Sequence, residues 1–302
     1  MKSPGGPSPR NHNSKSNPKP KPVYKKNANK NPEIKSGPKN SGAKQEQRNY
    51  GKNFPAKNLQ GKKRLDAPPS KLELGRLLTK YGVPLNEKIL DKLWQYHQLL
   101  RANNGDQDLT RLIGFDTIAQ RHYADCMILH GLMNGKWPSP LVDVGSGAGF
   151  PGIMIKLMSP ETEIVLAEPR PRRVQFLEMV IKELGLKKIS VFGHKVTSRS
   201  LTRPFAGAIT RAFETIETTL PRYGGCLGMG GRAIFMKGPK VLEELKTFKN
   251  DEYKLIKNHA YTIPNTIQDR VLVILERIRV PAPGEAVKYD SAQEADIGAR
   301  EE

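Results

Sequence analysis

The stretch Leu141–Gly152, "LVDVGSGAGFPG", places Gly145, Gly147, Gly149 and Gly152 directly behind an apolar run. A strand that ends in such a turn and enters a helix offers backbone N–H groups to a ligand, because glycine has no side chain to block the approach. Two ligand classes use this arrangement. Gly147-Ala-Gly149-Phe-Pro-Gly152 satisfies the G-x-G-x-x-G of dinucleotide binders, and Gly145-Ser-Gly147-Ala-Gly149 equally satisfies the G-x-G-x-G turn of S-adenosylmethionine enzymes. Both classes want an acid after the next strand to accept from ribose hydroxyls, and Glu168 stands there. Asp143 shifts the balance. Two residues before the first glycine, its carboxylate would accept from a ligand's ammonium and repel a pyrophosphate. S-adenosylmethionine offers that ammonium and is favoured; an NAD-binding oxidoreductase remains the alternative of a different class.

Arg211 follows an apolar strand and precedes Ala-Phe, where a buried guanidinium requires an anionic partner such as a donor carboxylate or an RNA phosphate. Phe150 and Phe213 are candidates for stacking on a base, with core packing the ordinary role, more so for Phe213. Arg170, Arg172 and Arg173 open a helix, an unfavourable end for cations; they either decorate it or meet an RNA phosphate. Pro151 reads as the first helical residue. His194 is expected at the surface. Cys126 and Cys226 neither frame a disulfide nor make a metal site and are expected to be inert.

The elements that must position these groups follow from periodicity. "KLELGRLLTKYG" and "NEKILDKLWQYHQLLRANN" repeat apolar residues at helical spacing, the second capped by Asn86 and ended by Asn103-Asn104-Gly105. Another helical stretch runs from about Phe115 to Leu132. Then "PLVDV", "EIVLAE", "KISVF", "FAGAIT" and "RAIFMK" alternate with segments long enough for helices. One of these puts Val174, Leu177, Ile181 and Leu184 on one face and stops at Gly185. Such alternation predicts a parallel sheet covered on both faces. "YKLIKNHAYTIP" and "DRVLVILERI", with only a short turn between them, read as an antiparallel pair.

The chain has 302 residues and a net charge of +20. Residues 1–70 hold 17 Lys+Arg against 3 Asp+Glu, and 11 of the 24 prolines. A segment so poor in apolar residues cannot offset the entropy of ordering itself. It is predicted to be a disordered basic tail that attracts polyanions through counterion release; a solubilising extension without a partner is the alternative. No run of 18 apolar residues occurs, so no membrane span is expected, and two cysteines suit a reducing cytoplasm.

"DVGSGAGFPGI" resembles the signature turn of the bacterial small-subunit ribosomal RNA guanine-N7 methyltransferases, the glucose-inhibited division B group. "DLTRL", "RHYADC", "AITRAF", "MKGP" and "DRVLVILERI" are similar to further blocks of that family in the same order, from about Leu72 to Ile278. The resemblance implies S-adenosylmethionine as donor and a guanine of 16S ribosomal RNA, free or in a subunit precursor, as acceptor. Position by position it implies donor contacts from Gly145 and Phe150, an adenine frame from Val196 and Thr197, and Arg211 between donor and acceptor. Lys237, Arg121, His122 and Arg270 match family positions and are expected in RNA contact or site architecture. "HKVT" departs from the family's Gly-Arg-Ala-Glu. Lys195 keeps a charge for RNA but loses the bidentate fork, and Thr197 supplies no carboxylate. The departure keeps another RNA or a protein target open; a non-catalytic RNA-binding module that has retained the turn is a separate alternative.

Guanine N7 carries no proton, so its methylation needs positioning and no essential general base. The expected architecture is α/β: a doubly wound, mostly parallel sheet with one antiparallel edge strand, the S-adenosylmethionine methyltransferase fold, carrying an N-terminal helical cap. Residues 71–138 are assigned to the cap, 139–280 to the Rossmann-like domain and 281–302 to a flexible tail.

Overall fold

The computed structural model describes residues 69–197, 204–211 and 214–280. The expected basic tail as far as residue 68, the C-terminal tail from 281 and Phe213 lie outside the described residues.

The chain begins with α1 (Lys71–Lys80), whose N-cap Ser70 accepts from the Glu73 N–H at 3.1 Å, and α2 (Glu87–Gln107), where Asn86 accepts from Ile89 at 3.0 Å. Helix α2 does not stop at Asn103-Asn104-Gly105. Asn103 Nδ2 donates back to the Leu99 carbonyl at 2.9 Å within the helix, and the chain turns only at Asp108, which adopts φ 47°. Side-chain amides that find partners in place do not end a helix, and an interior glycine costs it only about 1 kcal/mol. The next stretch is continuous: α3 (Phe115–Ile118), a π-helical turn (Ala119–Ala124) and α4 (Asp125–Leu132).

Strands and helices then alternate as β1 (Leu141–Val144), α5 (Gly152–Met158), β2 (Ile164–Ala167), α6 (Pro171–Glu183), β3 (Ile189–Phe192), β4 (Phe205–Thr210), α7 (Ile216–Gly224), β5 (Leu227–Lys237), α8 (Val241–Thr247), β6 (Tyr253–Thr262) and β7 (Asp269–Arg277). The sheet order is β3-β2-β1-β4-β5-β7-β6. The first five strands pair in parallel, and the last hairpin makes the antiparallel edge: β7 runs against both β5 and β6, and β6 lies outside it. Strand β7 is paired along both edges and buries both faces, Leu272 and Ile274 in one core and Val271, Val273 and Leu275 in the other, so it reads as a nearly continuous apolar run, whereas outermost β6 carries lysines and a histidine.

Period-two alternation divides the sheet between two cores. Leu141, Leu166, Ile209, Ile234 and Leu272 face a cluster shared with α1 through α6. Val142, Ala167, Ala208, Phe235 and Val273 face a second cluster with Ile216, Leu220 and Tyr223 of α7 and Val241 of α8. Helix α6 ends as predicted at Gly185, φ 59°, with Gly185 N bonded to the Lys182 carbonyl and Leu186 N to that of Ile181. Its buried face is Phe176, Leu177, Val180 and Leu184. That face is rotated from the expected one, leaving Val174 and Ile181 half-buried, because Phe176 seats edge-on against Tyr96 of α2.

Candidate functional site

The glycine turn joins β1 to α5. Its start is tied to β2 by Gly145 N and Ser146 N, both donating to the Ala167 carbonyl at 2.9 and 3.1 Å. Gly145 has φ 75° and open space where a side chain would stand, so one exposed face of the turn is bare backbone. Gly152 is required for the opposite reason: a Cβ there would lie 2.3 Å from Leu166 Cδ2 and 2.7 Å from Asp143 Oδ2. The helix starts at Gly152, not at Pro151, which occupies the cap position. Pro151 adopts φ −92° and ψ −6°, so regular helix begins one residue later than expected, and the Gly152 N–H is taken by a side chain from β1.

That side chain is Asp143. It is wholly buried; Oδ2 accepts from Gly152 N at 2.8 Å, and Oδ1 has no hydrogen-bond partner among the described residues. Burial pushes its carboxyl up to about 7, against the opposing pull of the Gly152 N–H, the nearby Ser146 hydroxyl and Arg211. Glu168, after β2, closes the other side. Its Oε2 accepts from Gly147 N at 2.9 Å and its Oε1 from Arg170 N at 3.0 Å. Two acids thus clamp the turn from below and beside.

Phe150 leads from the turn into a polar cluster. The His122 ring stacks on it at 4.4 Å between centroids, and the Arg211 guanidinium lies 5.3 Å from the ring centre. Arg211 Nη1 donates to the Arg121 carbonyl and to His122 Nδ1, both at 3.1 Å. The expected anionic partner is not a protein carboxylate in direct contact: among the described residues no acid lies within ion-pairing distance of Arg211. Burial, with Arg211 beside it, lowers the His122 pKa to about 3.

The remaining sequence candidates separate. Lys237, at the end of β5, is buried; Nζ donates to the Glu214 carbonyl and lies 4.0 Å from Glu244 Oε2, which itself accepts from Ile216 N. It braces the entry to α7, and burial lowers its pKa. Arg270 Nε donates to buried Asp125 Oδ1 at 3.1 Å. Val196 is buried in the second core and half-buried Thr197 accepts at its carbonyl from Cys226 Sγ, while Lys195, His194 and the Arg121 side chain are exposed. The arginines opening α6 have a structural occupation: Arg172 donates to the Asp106 carbonyl at 3.1 Å and Arg173 to that of Asp108 at 2.8 Å. Cations that are unfavourable at the start of α6 satisfy the carbonyl end of α2. Burial pushes the thiols of Cys126 and Cys226 up to about 12 and about 11, so both stay protonated.

Three further residues hold the site together. Tyr96 Oη donates to the Ala148 carbonyl in the turn at 2.6 Å. Asn104 and Thr110 clasp each other through Thr110 N to Asn104 Oδ1 at 2.7 Å and Asn104 Nδ2 to the Thr110 carbonyl at 3.0 Å. The "DLTRL" block was visible, but the pairing of its Thr110 with Asn104 and His122 depends on how α2 folds back toward the π-helical turn.

A doubly wound sheet with one reversed strand, a bare glycine turn after β1 and an acid after β2 define the class of S-adenosylmethionine-dependent methyltransferases. Within that class the chain belongs to the rRNA small subunit methyltransferase G family (GidB), whose sequence profile matches residues 89–273. It is 43% identical over 220 residues to ribosomal RNA small subunit methyltransferase G 2 of Syntrophobacter fumaroxidans, covering 72% of this chain and 43% of that protein. It is 39% identical over 198 residues to the protein of the same name in Bdellovibrio bacteriovorus, covering 64% of this chain and 76% of that one. The Mesoplasma florum ribosomal RNA small subunit methyltransferase G is 33% identical over 179 residues, 58% of this chain and 74% of its own length. The chain therefore spans less than half of the Syntrophobacter protein and about three quarters of the other two.

Proposed function

We infer that this chain transfers a methyl group from S-adenosylmethionine to N7 of a guanine in small-subunit ribosomal RNA. The observation that carries the reading is the bare face of Gly145, flanked by Glu168 and by the buried, half-satisfied carboxylate of Asp143, in a chain of this family. These residues fit the donor. Glu168 has lone pairs for ribose hydroxyls beyond the two backbone N–H groups it already holds. Asp143 underlies the turn, where a ligand ammonium above it would favour the ionised carboxylate; Gly147 and Gly149 shape the turn, and Phe150, Val196 and Thr197 would line the remainder. S-adenosylmethionine supplies a methyl already activated on a sulfonium.

The chain's task is then to hold the acceptor in line and exclude water. The titratable groups around Phe150 accord with a mechanism that has no general base. His122 is held neutral, the Cys126 thiol is held protonated, and burial raises the hydroxyl pKa values of Tyr96 and Tyr123. Burial pushes the carboxyls of Asp143 and Asp125 upward, but Asp143 is sealed beneath the turn and Asp125 is buried against Arg270. Arg211 and Lys237 serve in positioning. The exposed Arg121 and Lys195, with Arg270 and the basic residues 1–70, favour contact with RNA phosphates. A guanine splayed from its stack is the accessible form of the substrate, since the deep major groove of A-form RNA hides N7. The cytoplasm, where ribosomal subunits assemble, is the proposed setting.

The test is transfer of labelled methyl from S-adenosylmethionine to bare 16S RNA, to intact subunits and to protein, followed by mass mapping of the modified nucleotide. Label at guanine N7 in the small-subunit RNA is expected. Label confined to protein or to another RNA would replace the acceptor. Calorimetry showing NAD bound and S-adenosylmethionine ignored would replace the whole reading.

A further inference from the structure

The donor-acceptor chemistry at Arg211 determines the state of its neighbour. A guanidinium has only N–H donors. The 3.1 Å contact from Arg211 Nη1 therefore requires a lone pair on His122 Nδ1, which puts the imidazole proton on Nε2. From there His122 Nε2 donates to Thr110 Oγ1 at 2.8 Å. Thr110 Oγ1 also accepts from Leu112 N at 3.1 Å, and the Thr110 backbone is clasped by Asn104 at the end of α2. Every link has one direction. The π-helical turn 119–124 carries two acceptors for Arg211 Nη1, the Arg121 carbonyl and the His122 ring, and Cys126 Sγ of α4 lies 3.9 Å from the same nitrogen, while Phe150 of the glycine turn packs against the guanidinium and the imidazole.

We propose that His122 is a positioning residue that acts through Arg211: as a neutral acceptor braced by Thr110, it aims the guanidinium over Phe150 toward the reacting groups. The proposal rests on the methyltransferase reading for the meaning of the site and replaces direct RNA contact as the role of His122. Proton transfer by His122 has no place in it, since both ring nitrogens are engaged and N7 has no proton to lose. The "DLTRL" block thereby becomes part of the active-site architecture without touching donor or acceptor.

A double-substitution cycle tests this, using the full chain, S-adenosylmethionine and small-subunit RNA, with melting curves to verify folding. H122Q removes the acceptor facing Arg211. It is expected to lower kcat/KM by roughly ten- to a hundredfold, the range for a hydrogen bond to a charged group. H122N, whose Oδ1 can take the place of Nδ1, recovers most of that loss. In an R211A background H122Q has no further effect. An equal further loss in that background, activity retained by H122Q, or failure of H122N to recover what H122Q loses in a folded chain overturns the proposal. Nitrogen NMR of the histidine ring gives a reading that does not depend on activity. The Nε2–H tautomer at neutral pH is expected, and an imidazolium or the Nδ1–H tautomer overturns the assignment. If the parent chain transfers no methyl to small-subunit RNA, the functional reading fails, while the NMR result and the effect of H122Q on donor affinity still decide the coupling.

Discussion

Replacing Asp143 with asparagine tests whether the protein stores a buried acid beneath its glycine turn. The carboxyl is wholly buried, with one oxygen on Gly152 N and the other unpartnered. Its pKa is pushed from 3.8 to about 7, chiefly by burial. A difference of roughly three in pKa corresponds to about 4 kcal/mol between the two protonation states. The direction follows from linkage. The folded chain holds this proton more tightly than the unfolded chain, so Asp143 costs nothing where both are protonated. The cost grows as pH rises above about 4 and is complete above about 7. Asparagine keeps an oxygen for Gly152 N but puts an amide donor where Oδ1 stood, a cost of about 1–3 kcal/mol that does not change with pH. Urea unfolding followed by the fluorescence of Trp94 and Trp137 measures both chains. D143N should be the less stable at about pH 4 and gain on the parent by several kcal/mol toward about pH 8. A stability difference that is flat across that range, or that moves the other way, would refute the assignment of a strained acid at this position.

Three further outcomes follow from the same geometry. G152A forces a Cβ against Leu166 and Asp143, and should cost about 1–3 kcal/mol in a denaturant melt while weakening S-adenosylmethionine binding; a parent-like melt would contradict the packing. E168Q retains the shape but loses the charged acceptor for Gly147 and Arg170. Calorimetry should show donor affinity reduced roughly ten- to a hundredfold, with RNA affinity nearly unchanged. At the opposite end of the sheet, buried Arg277 holds the carbonyls of Gly224 and Leu227 and pairs with buried Glu252 at 3.1 Å. R277M leaves Glu252 uncompensated and should cost about 3–5 kcal/mol in thermal or urea unfolding, part of which returns in R277M/E252Q; an unchanged melt for R277M would show that the pair contributes nothing.

The strands and most helix limits were legible because their signals are local. Asn86 and Gly185 cap and stop helices through bonds to residues within five positions, and "RAIFMK" reads as a strand from its own short apolar run. The end of α2 was misplaced where the signal was not local: Asn104, read as a helix breaker, is occupied by Thr110 across a turn. The arginines of α6 were read against their own helix, whereas their partners are the carbonyls of another.

The order of residues by itself determined the glycine turn, the acids on either side of it and the doubly wound class, because backbone conformation and periodicity depend on near neighbours. Only the tertiary structure decided that Asp143 would lie beneath the turn with one oxygen unpaired. It alone brought His122, Phe150 and Arg211, from three distant segments, into one cluster. Burial, protonation and hydrogen-bond direction belong to the packed molecule, since each depends on which side chains exclude water from one another.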